Sequence, residues 1–201
     1  MIGEIARMRR WSWQKPVAIS LLVASGIALA PGALPVLSPE ALVRYQNFIQ
    51  FRGLKFEKVD EGEIPSYLAS MIGWENLVQT VARAYHALPP EERGRTAILA
   101  NNYAEAGAID LLGPKLGLPK AISGHETYAL WGPGDRAGEL VISVGIPARV
   151  MGRYYGDVEL IGVAHTKYAQ PHENDVPVLL CRGPKEGRTL REIWPEFRRF
   201  H

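Results

Sequence analysis

A chain of 201 residues, 47% hydrophobic and 22% charged, has the make-up of ordinary globular material, not of a disordered or fibrous protein. A net charge of +2 excludes a strongly basic nucleic-acid binder, and the clusters Arg7, Arg9, Arg10, Lys15 and Arg198, Arg199 lack the extent and aromatic interleaving that such a surface needs. The single cysteine, Cys181, excludes an intramolecular disulfide and a cysteine-only metal site, and it suits a reducing or an oxidising compartment equally.

From Pro16 to Leu37 the run PVAISLLVASGIALAPGALPVL carries no charged side chain, and about twenty apolar residues suffice for a helix to cross a bilayer core. Arg7, Arg9, Arg10 and Lys15 precede the run, whereas Glu40 and Arg44 follow at a distance. The excess of bases puts residues 1–15 in the cytoplasm as a basic tail and everything after Leu37 outside. Trp11 and Trp13 stand where an interfacial aromatic belt would lie. The same run also reads as a secretory signal peptide with Ala28-Leu29-Ala30 as its cleavage site, although Pro31 would then follow the cut. A buried core helix is the third reading, and the Trp-containing basic flank and the Pro-Gly-Ala-Leu-Pro exit argue against it. A single span of the inner membrane is the preferred reading, and span and signal peptide alike export the domain.

Beyond the run, Pro31, Pro35 and Pro39 predict a helix ending and an extended exit, because each proline removes a donor and restricts its predecessor. Ser38-Pro39-Glu40 reads as an N-cap with proline at the first helical position, opening a helix near Ala41 to Gln50. Arg52 to Pro65 reads as a loop, so residues 38–73 form a helix and connecting segment and residues 74–201 an extracytoplasmic domain. Within that domain, Leu77, Val78, Val81, Ala82 and Tyr85 recur at helical spacing over Trp74 to Leu88, and Pro89-Pro90 stops the helix. Thr96 to Ala100 (TAILA) reads as a strand buried on both faces. Ala104 to Leu116 predicts a helix with Ala108, Leu111 and Leu112 facing inward and Gly117 as its terminator, and Lys120-Ala121-Ile122 a short parallel strand. Glu139 to Gly145 and Val158 to Ala164 are further strands about a short helix from Ala148 to Tyr155. Val176 to Cys181 is another strand, placed at an edge by Pro177. Leu190 to Phe200 ends the chain as a helix up to Pro195. The alternation predicts an α/β fold: a transmembrane helix, then a layered α/β sandwich with a mainly parallel sheet.

Two stretches carry candidate contacts. Asn101, Asn102, Tyr103 and Glu105 follow a strand and open a helix, where exposed N–H groups and the strand's carboxyl end attract ligands. Two amides and a phenol there can read sugar hydroxyls, while the plainer reading is a helix cap with Glu105 complementing the dipole. His125, Glu126 and Tyr128, with Trp131 just after, could supply acid–base or stacking contacts, or could simply pack on the sheet edge. A right-handed crossover from β-strand to β-strand brings both stretches to one edge of the sheet. No zinc motif is present, since the second His of H-E-x-x-H falls at Ala129; His165, His172 and Glu173 read as a solvated loop. G-x-G-x-x-G, a P-loop and a nucleophile elbow are absent. No cofactor and no metal is expected.

The run from Gly73 to Pro133, above all ANNYAEAGAID and AISGHETYALWGP, resembles the C-terminal soluble region of bacterial glycosyltransferase family 39 membrane proteins. These are relatives of the protein O-mannosyltransferases and aminoarabinose transferases. IPSYLASMIGW and LREIWPEF extend the resemblance over nearly everything after the span. It implies a lipid-phosphate sugar donor used on the outer side of the membrane, with catalytic acids in an early extracytoplasmic loop of a polytopic domain. This chain has no such loop and one span, so no catalytic residue carries over. The expectation is a terminal span and soluble domain, inactive alone, whose partners are the bilayer and a polytopic transferase half or a polyprenyl-phosphate sugar. The alternative is a single-pass glycan- or lipid-sugar-binding module; a stand-alone hydrolase lacks an assembled nucleophile, base and oxyanion donor. A reporter fused to the C-terminus is expected on the extracytoplasmic side, with the protein in the membrane fraction; intact protein in the cytosol would overturn that reading.

Overall fold

The computed structural model describes residues 13–50, 62–135 and 138–200, and the chain divides into two units, Met1–Ala69 and Ser70–His201. In the first unit, helix α1 (Gln14–Ala33) contains Lys15 as its only charged residue and buries no side chain. Its twenty residues rise about 30 Å, the thickness of a bilayer's hydrocarbon core, so the helix is long and apolar enough to cross a membrane. It starts two residues before Pro16 and ends at Ala33, so Pro31 lies inside the last turn instead of ending it. Pro31 removes a single backbone donor there, and the turn still closes beyond it, with Leu34 N donating to Ala30 O at 2.8 Å. Helix α2 (Pro39–Ile49) opens as expected: Ser38 Oγ accepts from Ala41 N at 3.3 Å and Pro39 takes the first position. The Tyr45 hydroxyl donates to Ala28 O, and the Tyr67 hydroxyl, in α3 (Ser66–Ala69), donates to Gly32 O. Arg7, Arg9, Arg10 and Trp11, and most of the loop expected over Arg52 to Pro65, lie outside the described residues.

In the second unit, α4 (Trp74–Ala87) and α5 (Pro90–Arg93) lead into β1 (Thr96–Ala100), α6 (Tyr103–Leu112), a 3-10 turn (Gly113–Leu116) and β2 (Ala121–Ser123). Helix α7 (Thr127–Trp131), β3 (Leu140–Val144), α8 (Ala148–Met151), β4 (Tyr155–Ala164), β5 (Val176–Pro184) and α9 (Leu190–Phe197) follow. The sheet order is β2-β1-β3-β5-β4. β1 pairs in parallel with β2 and β3, while β5 runs antiparallel to both β3 and β4. The sheet is therefore mixed, and the expectation of a mainly parallel one is corrected. Between β4 and β5 lies a short connection with one 3-10 turn, Pro171–Glu173, too short for the crossover that a parallel neighbour needs, so the returning strand reverses direction.

Pro177 was expected at an edge, and it is not there. β5 lies inside the sheet, with β4 as the edge strand. In a strand a residue's N and C=O point to the same side, and the Pro177 carbonyl accepts from Gly145 N at 2.9 Å, one residue beyond the end of β3. The donor that proline lacks thus falls at the very end of the ladder, opposite Gly145 just past β3, where its loss removes no bond from the interior of the sheet. Helix α9 likewise continues through Pro195 to Phe197. Its start is held by a capping box between Thr189 and Glu192, and its apolar side buries Leu190, Ile193 and Trp194.

Alternate residues of the central strands point to opposite faces. Ile98, Ala100, Ile142, Val144, Val178 and Leu180 meet Leu77, Val78 and Val81 of α4 and Ala106 and Ile109 of α6. Ala97, Leu99, Val141, Leu179 and Cys181 meet Met151 of α8 and Leu190, Ile193 and Trp194 of α9. The unit is a three-layer sandwich with helices on both faces. The last segment locks on through Gly124: Arg199 N donates to Gly124 O at 2.7 Å and Glu126 N to Arg199 O at 2.9 Å. A Cβ on Gly124 would lie 2.1 Å from Phe197 O, so Gly124→Ala is expected to push α9 off its seat. The expected cost is about 1–3 kcal/mol, read as a lower urea midpoint; an unchanged midpoint would show that α9 yields freely.

Candidate functional site

The helices leaving β1 and β3 decide where a ligand can sit. Helix α6 packs on one face of the sheet and α8 on the other, because Ile109 and Met151 belong to opposite layers. Between two strands whose connections part in this way, a crevice opens at their carboxyl ends, and ligands of open α/β sheets bind there. The crevice exists here, with a volume of about 210 Å³, walled by Ile146, Pro147, Val150 and Phe197 and edged by Asn101, Tyr154, Glu196 and Arg199. That is below the roughly 300–1,000 Å³ of sites that enclose a drug-sized ligand, so it has room for an end group such as one sugar ring or one phosphate. A larger cleft of about 520 Å³ opens at the amino ends of β1 and β3. Its arginines are already matched: Arg95 to Glu139 at 3.1 Å, Arg182 to Glu92 at 3.3 Å and Arg188 to Glu196 at 2.6 Å. Position at the carboxyl ends of the parallel strands favours the smaller crevice.

The β1–α6 turn is organised by a buried acid. Asn102 caps α6, its Oδ1 accepting from Glu105 N at 2.9 Å, and Glu105 Oε2 accepts from Asn101 N at 2.9 Å and Asn102 N at 3.3 Å. Glu105 fits only because residue 145 is glycine: a Cβ there would lie 2.3 Å from Glu105 Oε1, and its φ of 74° suits glycine besides. Burial pushes the Glu105 carboxyl up to about 7, with Glu173 adding to the rise while the two N–H donors and Arg199 oppose it. Burial likewise raises Glu173, in the β4–β5 connection, whose Oε2 is buried without a hydrogen-bond partner.

Arg199 closes the turn from outside, its guanidinium donating to Asn101 O and, at 2.9 Å, to Asn101 Oδ1. Across the crevice the Tyr154 hydroxyl donates to Glu196 Oε2 at 3.1 Å, and the same carboxylate takes Arg188 at 2.6 Å. The Tyr154 and Phe197 rings stand 4.9 Å apart. Glu196 is held below its usual range by Arg188 and Tyr154 and so stays an acceptor.

The two stretches singled out in the sequence do meet at this edge. The exposed Tyr103 ring stacks on His125, 5.3 Å between centroids and 22° between planes, and His125 Nδ1 is buried without a hydrogen-bond partner. Tyr128 donates to Asp110 Oδ2 at 3.0 Å and packs on Trp131 at 4.6 Å. Burial, then that carboxylate, push the Tyr128 hydroxyl up to about 12. Among the eight, Asn101 borders the crevice, Asn102 and Glu105 hold the turn, and Tyr103, His125, Tyr128 and Trp131 form an aromatic group beside it. Glu126 stands at the start of α7 with φ 51°. Tyr154, Glu196 and Arg199 were not singled out for the site. Arg199 had one available signal, a basic pair just past a C-terminal amphipathic helix; Tyr154 and Glu196 had none. Among the described residues no group of three His, Cys, Asp or Glu side chains is placed to hold a metal ion.

Comparison of the chain with protein-family models, with curated proteins and with solved structures returned no match.

The Glu105 carboxyl gives a test by pH. The folded state keeps a proton that the unfolded chain releases near 4.5, so stability falls as pH rises from about 4.5 to 7. The loss is about 3 kcal/mol for a shift of this size, with Glu173 acting in the same direction. Glu105→Gln, which needs no proton to be neutral, is expected to flatten most of that slope in urea melts taken from pH 4.5 to 8. An equally steep profile in the variant would assign the slope to other groups.

Proposed function

We propose that this chain is a membrane-anchored extracytoplasmic domain of a lipid-phosphate-sugar-dependent glycosyltransferase system, and that it binds a sugar end group in the β1/β3 crevice. The observation that carries the binding role is the crevice itself, at the carboxyl ends where the helices part, with a guanidinium and an amide on one rim and a tyrosine–carboxylate pair on the other. Planar donors beside a carboxylate acceptor suit hydroxyl-rich or phosphorylated groups, and the Phe197 ring offers an apolar wall for the face of a sugar. The transferase setting is supported by the resemblance of the stretch from Gly73 to Pro133, which supplies β1, α6, β2 and α7. Export is supported by the bases that precede α1. On this reading the acids that perform transfer belong to a polytopic membrane half, and this chain positions donor or acceptor for it.

The test is a titration of the full chain, held in lipid nanodiscs, with hexose 1-phosphates and with a short polyprenyl-phosphate sugar. Saturable binding is expected. Losing a charge-assisted contact costs about 1.5–3 kcal/mol, so Arg199→Ala should weaken binding about tenfold or more. Arg199→Lys, which keeps the charge and loses the fork, should recover only part of it. Absence of saturable binding to either probe overturns the binding role. Sugar transfer by this chain alone overturns the division of labour and makes Glu105 and Glu126 the first residues to replace.

A further inference from the structure

On the second unit, beside the crevice, α6 presents Tyr103, Gly107 and Leu111, one per turn along a single stripe. Tyr128 lies against that stripe, its hydroxyl within van der Waals reach of a Cβ built on Gly107, and Trp131 packs on Tyr128. The result is an apolar surface facing water: Leu111, expected to face inward but carried outward by the stripe it shares with Tyr103 and Gly107, is 76% exposed, Leu130 67%, Trp131 66% and Tyr103 53%. Solitary exposed leucines need no explanation, but leucines grouped with Trp and Tyr mark a contact surface. The exposed charges within this stretch are basic. Lys115 and Lys120 are exposed, Glu105 is buried, and Asp110 and Glu126 are half-buried. Asp110 is also occupied inward, accepting from Ala121 N at 2.8 Å and from Tyr128. From Tyr103 to Trp131, then, the two exposed charged side chains are both lysines.

We infer that this surface lies against a lipid bilayer, with Trp131 and Tyr103 at the headgroup level, Leu111 and Leu130 at the acyl boundary, and Lys115 and Lys120 on the lipid phosphates. The inference rests on the proposal that α1 anchors the chain. Tryptophan and tyrosine concentrate at membrane interfaces, and lysine reaches the phosphates while its stem stays in apolar surroundings. Cations at the surface complement anionic headgroups. A small patch of this kind binds weakly as a separate body. On a tethered domain the contact is intramolecular, and the high effective concentration makes a weak patch sufficient. A docked domain would keep one orientation to the membrane while presenting its crevice to a lipid-linked sugar.

The test uses the full chain in vesicles of phosphatidylcholine with phosphatidylglycerol. Cys181 is buried, so Leu130→Cys takes an environment-sensitive dye at one place, and Leu160→Cys on the edge strand β4, also exposed, serves as the reference. Flotation of the vesicles reads the anchor separately. The dye at residue 130 is expected to shift to the blue and to be quenched by lipids carrying a nitroxide near the headgroup, while the dye at residue 160 stays water-like. Lys115→Glu with Lys120→Glu is expected to remove most of that quenching in the anionic vesicles. Water-like emission at residue 130 in chains that float overturns the docking surface and leaves the anchor standing. A blue shift without lipid quenching assigns the surface to a protein or glycan partner and overturns it as well. Chains that fail to float overturn the anchored reading and this inference together.

Discussion

All five side chains of β1 are out of water, two of the apolar ones on one face of the sheet and two on the other. A strand buried in this way cannot be covered from one side, so the chain must send helices to both. Helix α6, leaving β1, packs with α4; α8, leaving β3, packs with α9. That division opens the crevice at the carboxyl ends of β1 and β3, because neither connection can cross it.

The turn beside the crevice couples three distant parts of the domain. Glu105 is sunk into the space left by Gly145 at the end of β3 and binds the N–H groups of Asn101 and Asn102. Sinking a carboxyl costs solvation, and the two N–H donors and Arg199 return only part of it. Asn101 in turn receives Arg199 from the C-terminal segment. The acid behind the turn and the guanidinium in front of it therefore act on one backbone unit, and movement of the last residues would be felt at the mouth of the crevice.

Inserting β5 between β3 and β4 leaves four strands pointing one way and a single strand returning. The β4–β5 connection thus ends at the same edge as the crevice, and Glu173 within it lines a small recess with Glu105, Trp74 and Thr166. The carboxyl-end side of the domain is built from the ends of β1, β2 and β3, this connection and the C-terminal segment, with the stacked Tyr103 and His125 rings beside it.

How much of this was legible depended on whether the cause was local. The uncharged run before Glu40, the Ser38-Pro39 cap, the helical period over Trp74 to Leu88 and the apolar block Thr96–Ala100 each depend on neighbours within a turn or a strand, so the sequence alone places them. The meeting of the Asn101 and His125 stretches was also legible, since crossover handedness is general. The direction of β5 was not. A run such as VPVLLC is equally apolar in a parallel or an antiparallel strand, and Pro177 signals an edge unless its missing donor happens to face the end of a ladder. Arg199 and Glu196 belong to the site only because α9 docks through Gly124, and no local pattern records that docking. The sequence by itself determined the anchor-like helix, the element types and the identity of the turn at Asn101. The tertiary structure decided which way the last strands run and which side chains rim the crevice, because both depend on contacts well beyond a single turn or strand, up to the 98 positions between Asn101 and Arg199, for which a chain carries no short-range signal.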